Sequence, residues 1–369
     1  MVRLHFIDNL RWMSILMLFP FHTAFVFCSG WYGYYVTSPQ SSTAAHCLTV
    51  AVEPWIMPLL FCIAGMSTKY ALQKRTPSAY LKERAGRLLV PFLAGVVLVC
   101  PVIAYYALKF HTGYTGSFAC AFVHFFSSVS TIPDTNGLTG DFSVDHLWFI
   151  LFLFLFSIAA LGLILVWRRL AGTRRGPVTM RLPVLILLFV PVWLLNYSGP
   201  NVTGYSIPSY FVLFLAGYAM LATEEVQEEL EKNRAALVAL WIALTAGVMW
   251  VGGIFLGHGE LFWGSSPLFV LTGWIGVLTL MGAGRHLFDF SNSITAYLTA
   301  ASYPVYIIHQ AVLVAVAYYF VTSATPPVLQ YPAIVVLSLL LTFACYEIVR
   351  RIPIVRALFG IATQQKEPA

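Results

Sequence analysis

Arg11 and His22 carry the clearest chemical signal in this sequence. They stand eleven positions apart in a stretch, residues 6–27, that is otherwise mostly apolar. In an α-helix, which turns about 100° and rises about 1.5 Å per residue, the two side chains lie within about 20° of one face and about 16 Å apart along the axis. One face of the predicted helix therefore carries a guanidinium and an imidazole at two depths.

His22 has the chemistry of a general base. An imidazole, with an ordinary pKa of about 6.5, takes up and releases a proton near neutral pH. Pro20 supports this interpretation, because proline removes a helical hydrogen bond and frees the carbonyl group near Leu16. No Gly-x-Ser-x-Gly motif occurs in the sequence, so a serine nucleophile has little support. Direct transfer of a group from a donor to a hydroxyl acceptor fits better.

Structural roles also explain part of this signal. We predict that Arg11 belongs to the catalytic site with His22, where the two side chains would line a substrate channel. Arg11 could instead extend to the lipid headgroups and pair with Asp8, one turn away, and both interpretations of Arg11 stay open. A charged side chain near the bilayer centre costs at least about 2.5 kcal/mol, so polar residues there usually face the protein interior or a water-filled cavity. His22 lies some sixteen residues into the apolar stretch. This depth favours a functional role for the imidazole over a hydrogen bond in the core.

Four more residues are candidates because they place polar or aromatic groups in apolar runs. His146 begins one such run, and we predict that it assists His22 in catalysis. Glu53, Trp148 and His309 are predicted substrate contacts. Trp148 also suits an aromatic belt at the membrane surface, and a structural hydrogen bond explains His309 equally well.

A basic cluster follows the second apolar run and contains Lys82, Arg84 and Arg87. Arginine binds phosphate groups through two parallel N–H donors, so this cluster could hold a phosphate-bearing ligand. Anchoring to anionic lipid headgroups explains the same cluster without a ligand, and both interpretations are open.

The composition requires a membrane. The 369 residues are 59% hydrophobic and 10% charged, with a mean hydropathy of +0.79, whereas soluble domains carry about 25% charged residues. Several apolar runs reach the roughly 20 residues that span a hydrocarbon core about 30 Å thick. Lipid offers no hydrogen-bond partner to the backbone, so these continuous runs must be helices. We predict an all-α membrane bundle, a single domain over residues 1–369, with about ten spans: 6–27, 48–68, 88–107, 146–167, 182–197, 205–222, 235–256, 262–282, 294–320 and 331–349.

The basic residues set the predicted orientation. Every Lys and Arg except Arg11 and Lys109 falls on one side of the predicted spans. Because cytoplasmic loops carry the excess of positive charge, both termini are predicted to lie in the cytoplasm, in a multi-pass protein of the cell membrane. A count of eleven spans would place one end outside. The basic residues form short clusters between apolar runs, so the net charge of +6 indicates topology rather than nucleic-acid binding.

The cysteines give no sign of a metal site. The six of them stand singly, without Cys-x-x-Cys pairs or a histidine spacing that suits tetrahedral coordination. We therefore predict no metal. Cys28 and Cys47 could meet in the first external loop, but free thiols among apolar side chains are the expected state.

Several segments together resemble the acyltransferase-3 family. The segment Phe-Ile-Asp-Asn-Leu-Arg11, followed after ten residues by His22, resembles the Arg-x10-His signature at the start of that family. Other segments that look like the family, in the same order, are Phe61-Cys-Ile-Ala-Gly65, Lys82-Glu-Arg84-Ala-Gly-Arg87-Leu-Leu-Val-Pro91, His146-Leu-Trp148-Phe149 and Ser302-Tyr-Pro-Val-Tyr306-Ile-Ile-His309. The His-Leu-Trp-Phe and Phe-Ile-Asp-Asn-Leu-Arg variants look closest to the branch that contains the glucan succinyltransferases.

This resemblance implies a membrane O-acyltransferase. Its donor would be cytoplasmic acyl-CoA, with an acyl group of the acetyl or succinyl class, and its acceptor a hydroxyl of a glycan, a lipid or a small metabolite. The resemblance implies His22 as general base, and it suggests Lys82, Arg84 and Arg87 at the cytoplasmic mouth as contacts for the phosphates of CoA. Polysaccharide modification at the outer face is the implied role.

Two other functions compete with acyl transfer. Helices with His, Arg and Pro inside the membrane also suit a secondary transporter or exporter of a lipid or glycan, although the sequence shows no paired, glycine-interrupted half-helices. A sensor or assembly subunit could keep the fold without the reaction. Saturable binding of acyl-CoA would distinguish the enzyme from a transporter.

Overall fold

The computed structural model describes residues 4–28, 34–128, 138–171, 180–202, 205–251 and 266–361, and these segments are almost entirely helical. The helices are α1 (His5–Val26), α2 (Thr43–Lys74), α3 (Pro77–Arg84), α4 (Val90–Leu98), α5 (Cys100–Thr112), α6 (Phe118–Ser127), α7 (Trp148–Ala171), α8 (Leu182–Leu187), α9 (Phe189–Ser198), α10 (Ile207–Ala216), α11 (Glu224–Lys232), α12 (Arg234–Val248), α13 (Pro267–Phe288), α14 (Ser293–Val321), α15 (Pro327–Val349) and α16 (Pro353–Leu358). The prediction of an all-α membrane protein is confirmed.

Short elements interrupt this helical pattern. Two π-helical turns, Ala85–Leu89 and Gly217–Leu221, follow α3 and α10, and a 3-10 turn, Asp145–Leu147, precedes α7. The strands β1 (Asn201–Val202) and β2 (Tyr205–Ser206) pair antiparallel between α9 and α10.

Seven segments of the described chain are long and apolar enough to cross a membrane. They are Thr43–Lys74, Pro77–Thr112, Asp145–Leu170, Arg234–Val251, Pro267–Phe288, Ser293–Val321 and Pro327–Val349. The pair α10 and α11 raises the number to eight if it counts as one span, although the chain bends by 93° between these helices. The total of about ten spans and the cytoplasmic position of both termini stay predictions.

α1 is not among those seven segments, and it carries Asp8, Arg11 and His22. It packs against α2, α13, α14 and α15, and more than half of its residues are buried. A helix enclosed by other helices does not need a continuous apolar surface toward lipid. The interior position of α1 therefore lets polar side chains meet protein rather than hydrocarbon.

The segment Pro77–Thr112 is not a regular α-helix throughout. Its π-helical turn, Ala85–Leu89, ends just before Pro91, which has no N–H group to donate to the carbonyl oxygen of Arg87. A π-helical turn holds extra residues per turn, so it rotates the side chains on its two sides relative to an unbroken helix. The turn therefore helps to set the directions of Arg84 and Arg87.

Glycines allow α2 to lie close to α10. A Cβ atom on Gly65 would overlap the carbonyl oxygen of Phe214 and lie 2.8 Å from the backbone nitrogen of Tyr218. A Cβ atom on Gly217 would overlap the carbonyl oxygen of Cys62. Small residues of this kind let membrane helices approach closely, so Gly65 has a packing role.

We predict that Gly65→Ala lowers the free energy of unfolding by about 1–3 kcal/mol, because the new methyl group meets backbone atoms that cannot rotate away. Thermal unfolding of the purified protein in detergent measures the change. Gly162→Ala in α7 is the control, since a Cβ atom there meets nothing within 4 Å. A Gly65→Ala protein with the melting temperature of wild type would contradict the close packing of α2 against α10.

Candidate active site

Three histidines from different parts of the chain converge. His22 lies in α1, His146 in the turn before α7 and His309 in α14. The ring centroids of His22 and His309 are 5.4 Å apart, and those of His146 and His309 are 5.1 Å apart. The sequence indicated each imidazole separately, and the structure brings them into one group, the histidine cluster.

Backbone carbonyl groups fix the tautomers of two of these rings. Nδ1 of His309 lies 2.6 Å from the carbonyl oxygen of Tyr306, and Nε2 of His146 lies 2.9 Å from that of Ile307. A carbonyl oxygen only accepts hydrogen bonds, so each of these nitrogens donates, and the other nitrogen of each ring keeps a lone pair. Neither lone-pair nitrogen, nor Nδ1 of His22, has a hydrogen-bond partner among the described residues. The cluster therefore offers at least two buried proton acceptors.

Tyr306 adjoins the histidine cluster. Its hydroxyl donates to the carbonyl oxygen of His146, and its ring centroid lies 5.6 Å from that of His146 and 5.7 Å from that of His309. In the sequence Tyr306 stood out only as part of a motif. Its i, i+3 spacing to His309 was an available signal, because residues at this spacing share one helical face.

A cavity of about 380 Å³ adjoins Tyr306, which contacts the histidine cluster. Arg11, Arg84 and Arg87 line it, together with Phe149 and Tyr306. Because Tyr306 also contacts two rings of the histidine cluster, its side chain borders both the cavity and the cluster. The structure thus gathers the three predicted arginines around one space, the arginine cavity.

Arg84 is held by a small network of its own. Its guanidinium donates to the hydroxyl of Thr68 at 3.3 Å and lies 5.0 Å from the ring centroid of Tyr80. Tyr80 is fully buried, and its hydroxyl is 3.1 Å from that of Thr68. Lys82, by contrast, is not among the residues that line the arginine cavity. The geometry therefore supports a ligand contact for Arg84 and Arg87 but not for Lys82.

Arg11 combines the two roles that its position in the sequence left open. It pairs with Asp8 at 2.8 Å, as the structural interpretation predicted. It also donates to the hydroxyl of Ser67 at 3.1 Å and lines the arginine cavity. Arg11 therefore lines the cavity while it is paired with Asp8, so the ion pair does not exclude a ligand contact.

Glu53 and Trp148 both lie close to Tyr205. Trp148 follows His146 by two residues and stacks on Tyr205, with 3.8 Å between ring centroids. Glu53 is close enough to Tyr205 and Tyr210 to interact electrostatically with both phenols. Its Oε2 atom is buried and has no hydrogen-bond partner within the described chain. The predicted substrate contacts Glu53 and Trp148 thus lie near the same tyrosine, Tyr205. The sequence analysis did not identify this residue.

Asp145 has an unusual backbone conformation next to the cluster. Its φ of 44° lies in the left-handed region, and it is the only residue other than glycine with a positive φ in the described segments. The hydroxyl of Tyr35 donates to its carboxylate at 2.9 Å. Such conformations persist where the surrounding structure enforces them. The turn at Asp145 therefore sets the direction in which His146 enters the cluster.

The loop after α1 contacts the cluster through aromatic rings. Gln310, the neighbour of His309, donates to the hydroxyl of Tyr34 at 2.7 Å. The ring of Tyr34 stacks on Phe25 at 5.5 Å between centroids, and Phe25 lies 6.1 Å from His22. Tyr34 and Gln310 were also missed by sequence reasoning.

No metal-binding arrangement is found in the described part of the chain, where no group of three or more His, Cys, Asp or Glu side chains is suitably placed. The six cysteines are free thiols, as the sequence predicted. What the histidine cluster does offer is unpartnered ring nitrogens, and these suit proton transfer.

Comparisons with known proteins agree with these motifs. A family model described as an acyltransferase domain matches residues 4–347. Glucans biosynthesis protein C of Salmonella schwarzengrund (strain CVM19633) is 21% identical over 378 residues, which cover 97% of this chain and 94% of that protein. No solved structure matches the chain. Because the family model spans nearly the whole sequence, from before Arg11 to beyond His309, the chain belongs to the acyltransferase-3 family of membrane proteins.

Proposed function

We propose that this chain is a membrane O-acyltransferase that moves an acyl group from cytoplasmic acyl-CoA to a hydroxyl group of a glycan, a lipid or a small metabolite. Membership of the acyltransferase-3 family supports acyl transfer. The observation that carries the proposal is the position of the histidine cluster beside the arginine cavity, with Tyr306 common to both. A phosphate-binding entrance and a proton-accepting end are what transfer from a CoA thioester to an alcohol requires.

The arginine cavity suits the donor. Arg84 and Arg87 present planar guanidinium groups that can each bind a phosphate through two N–H donors, and Arg11 adds a third cation. In this proposal the nucleotide phosphates stay at these arginines. The thioester then extends past Ile15 and Leu153, which also line the cavity, toward Tyr306 and the histidine cluster.

Proton transfer to His22 starts the proposed reaction. The acceptor hydroxyl gives its proton to the imidazole while its oxygen attacks the carbonyl carbon of the thioester. A C–O bond forms, the C–S bond breaks, and CoA leaves as a thiolate that takes the proton from the imidazolium. General-base assistance of this kind contributes about 10²–10⁴-fold to the rate. His146 and His309 add unpartnered ring nitrogens that can accept a proton within the same cluster.

The acceptor is proposed to arrive from the outer face of the cell membrane, with both termini in the cytoplasm and the whole chain forming one membrane domain. The distribution of Lys and Arg supports this orientation. A glycan acceptor is supported by the name of the relative, which refers to glucan biosynthesis. Trp148 would offer an apolar ring edge and Glu53 a hydrogen-bond acceptor for sugar hydroxyls.

We predict that His22→Ala lowers kcat by at least about 10²-fold, because the acceptor hydroxyl loses its base. Release of CoA thiol by the purified protein, with acetyl-CoA as donor and a glucose oligosaccharide as acceptor, measures the change. His124→Ala is the control, since His124 is an exposed imidazole that pairs with Asp141 at 3.3 Å. A correctly folded His22→Ala protein with a near-wild-type kcat would exclude His22 as the base.

We also predict that Arg84→Ala and Arg87→Ala each raise the Kd for CoA by about tenfold, which corresponds to about 1.4 kcal/mol of lost phosphate contact. Saturable thermal stabilisation by CoA measures Kd. Lys82→Ala is the matched control on α3, because Lys82 does not line the cavity. An absence of saturable CoA binding in the wild-type protein would instead support a transporter or exporter.

A further inference from the structure

An apolar groove of about 610 Å³ lies between α5, α14 and α15. The side chains of α14 that line it follow the three- and four-residue spacing of one helical face. They are Ile308, Ala311, Val312, Ala315, Val316 and Tyr319. His309, which belongs to the histidine cluster, lies about 100° further round the same helix. None of the described residues that line this groove also lines the arginine cavity, so the two are separate sites.

The groove opens sideways, toward lipid. The three segments that form most of it, Pro77–Thr112, Ser293–Val321 and Pro327–Val349, are all apolar enough to cross a membrane. Its lining residues Leu98 and Leu341 are 50% and 42% exposed. An apolar opening on the side of membrane-spanning helices faces hydrocarbon rather than water. The group that suits this space is therefore a hydrocarbon chain.

The length of the groove matches the depth of one leaflet of a bilayer. Along α14 its lining extends from Ile308 to Tyr319, which is about 16 Å at about 1.5 Å per residue. Along α15 it extends from Leu337 to Val349, which is about 18 Å by the same measure. Half of a hydrocarbon core about 30 Å thick is about 15 Å. One acyl chain of a phospholipid therefore fits lengthwise in the groove.

A cation lies at one end of the groove. The ammonium group of Lys109 lies over the rings of Tyr105 and Tyr318, 5.4 Å and 5.1 Å from their centroids. The ring centroid of Tyr318 is 5.4 Å from that of Tyr106, which lines the groove. Within the described segments Lys109 has these ring contacts but no ion pair. A cation without a counter-ion at the end of an apolar groove suits an anionic lipid headgroup.

Two phenols lie at the same end of the groove. The hydroxyl oxygens of Tyr106 and Tyr319 are 3.4 Å apart, and both residues line the groove. When one hydroxyl donates to the other, the second keeps its proton for a further acceptor. Phosphate oxygens accept such a bond, and tyrosine is enriched at the depth of lipid headgroups. These phenols therefore add a hydrogen-bond donor to the charge of Lys109.

The opposite end of the groove is less suited to an anion. Arg350 and Arg351 follow the lining residue Val349, and both pair with the carboxylate of Glu347, at 2.8 Å and 3.5 Å. This carboxylate already supplies the negative charge that the two guanidinium groups could take from a headgroup. Charge complementarity therefore favours a headgroup at the end that carries Lys109.

We propose that the groove binds one anionic phospholipid. One of its acyl chains lies along α14, and its phosphate contacts Lys109 and the hydroxyl groups of Tyr106 and Tyr319. The bound lipid joins α5 to α14 and α15, so it stabilises the helix that carries His309. This site does not depend on the proposed acyl transfer, because it shares no described lining residue with the arginine cavity.

Native mass spectrometry of the purified wild-type protein in detergent tests this proposal. The protein is titrated with phosphatidylglycerol or phosphatidylcholine that carry identical 16-carbon chains. We expect one phosphatidylglycerol to bind each protein molecule saturably, with a Kd about fivefold lower than that of phosphatidylcholine, a difference of about 1 kcal/mol. Phosphatidylglycerol with 8-carbon chains is expected to bind at least about tenfold more weakly, because it buries less apolar surface. Glycerol phosphate, which has no acyl chain, is expected to show no saturable binding.

Two pairs of variants locate the headgroup and the chain. Lys109→Ala is expected to bring the Kd values of the two lipids within about twofold of each other. Arg356→Ala is its control at the opposite end, since Arg356 stands three residues from the lining residue Phe359. Ala315→Trp places an indole in the groove and is expected to weaken both lipids at least about tenfold. Ala236→Trp, at an exposed position of α12, is the control for that substitution.

Three results would overturn the proposal. Lipids that add without saturation, and equally for both headgroups, would form only the ordinary lipid shell of a membrane protein. A headgroup preference that is lost in Arg356→Ala and kept in Lys109→Ala would place the phosphate at the opposite end. Unchanged binding in a folded Ala315→Trp protein would show that the chain lies elsewhere. Should that variant not fold, equal binding of 8-carbon and 16-carbon phosphatidylglycerol by the wild-type protein would exclude the groove.

Discussion

Hydrogen bonds from imidazole rings to main-chain carbonyl groups are the interactions on which the rest of the site depends. The membrane interior provides no water for polar groups, so a buried ring needs a partner from the protein. The carbonyl groups of Tyr306 and Ile307 provide this partner for His309 and His146, and both belong to α14. Because these bonds use one nitrogen of each ring, they leave the other as an acceptor. α14 therefore fixes both the orientation and the tautomer of His146 and His309. α1 places His22 next to His309.

The polar residues of the candidate site also give α1 a weaker apolar pattern than the seven segments that could cross the membrane. Asp8, Arg11 and His22 reduce its apolar character, and it is not among the segments apolar enough to cross the membrane. Its burial against four other helices explains why this composition is tolerated. α1 can therefore carry these polar side chains because its contacts with neighbouring helices shield them from lipid.

The sequence identified candidate site residues where a polar or charged side chain stands in an apolar membrane segment. Ionisable groups are expensive inside a membrane, so His22, His146, His309 and Arg11 could be selected without knowledge of the packing. Helical geometry predicted the common face of Arg11 and His22, but no local pattern predicts which helices become neighbours. Aromatic residues form 15% of the chain, so a tyrosine such as Tyr205 has nothing to distinguish it from the others. Lys82 lies two residues from Arg84 in the sequence, yet it does not line the arginine cavity.

The position of Tyr306 matters for the membrane as well as for the proposed reaction. Its hydroxyl bonds α14 to the turn before α7, and its ring separates the arginine cavity from the histidine cluster. A continuous water path between two compartments would let ions flow down their gradients and dissipate the voltage that a cell maintains. Tyr306 is buried between the two regions, where its hydroxyl makes one hydrogen bond and its ring packs against Phe149, His146 and His309. In the proposed reaction, a barrier of this kind would let an acyl group pass from one side of the bilayer to the other while the bilayer stays electrically insulated.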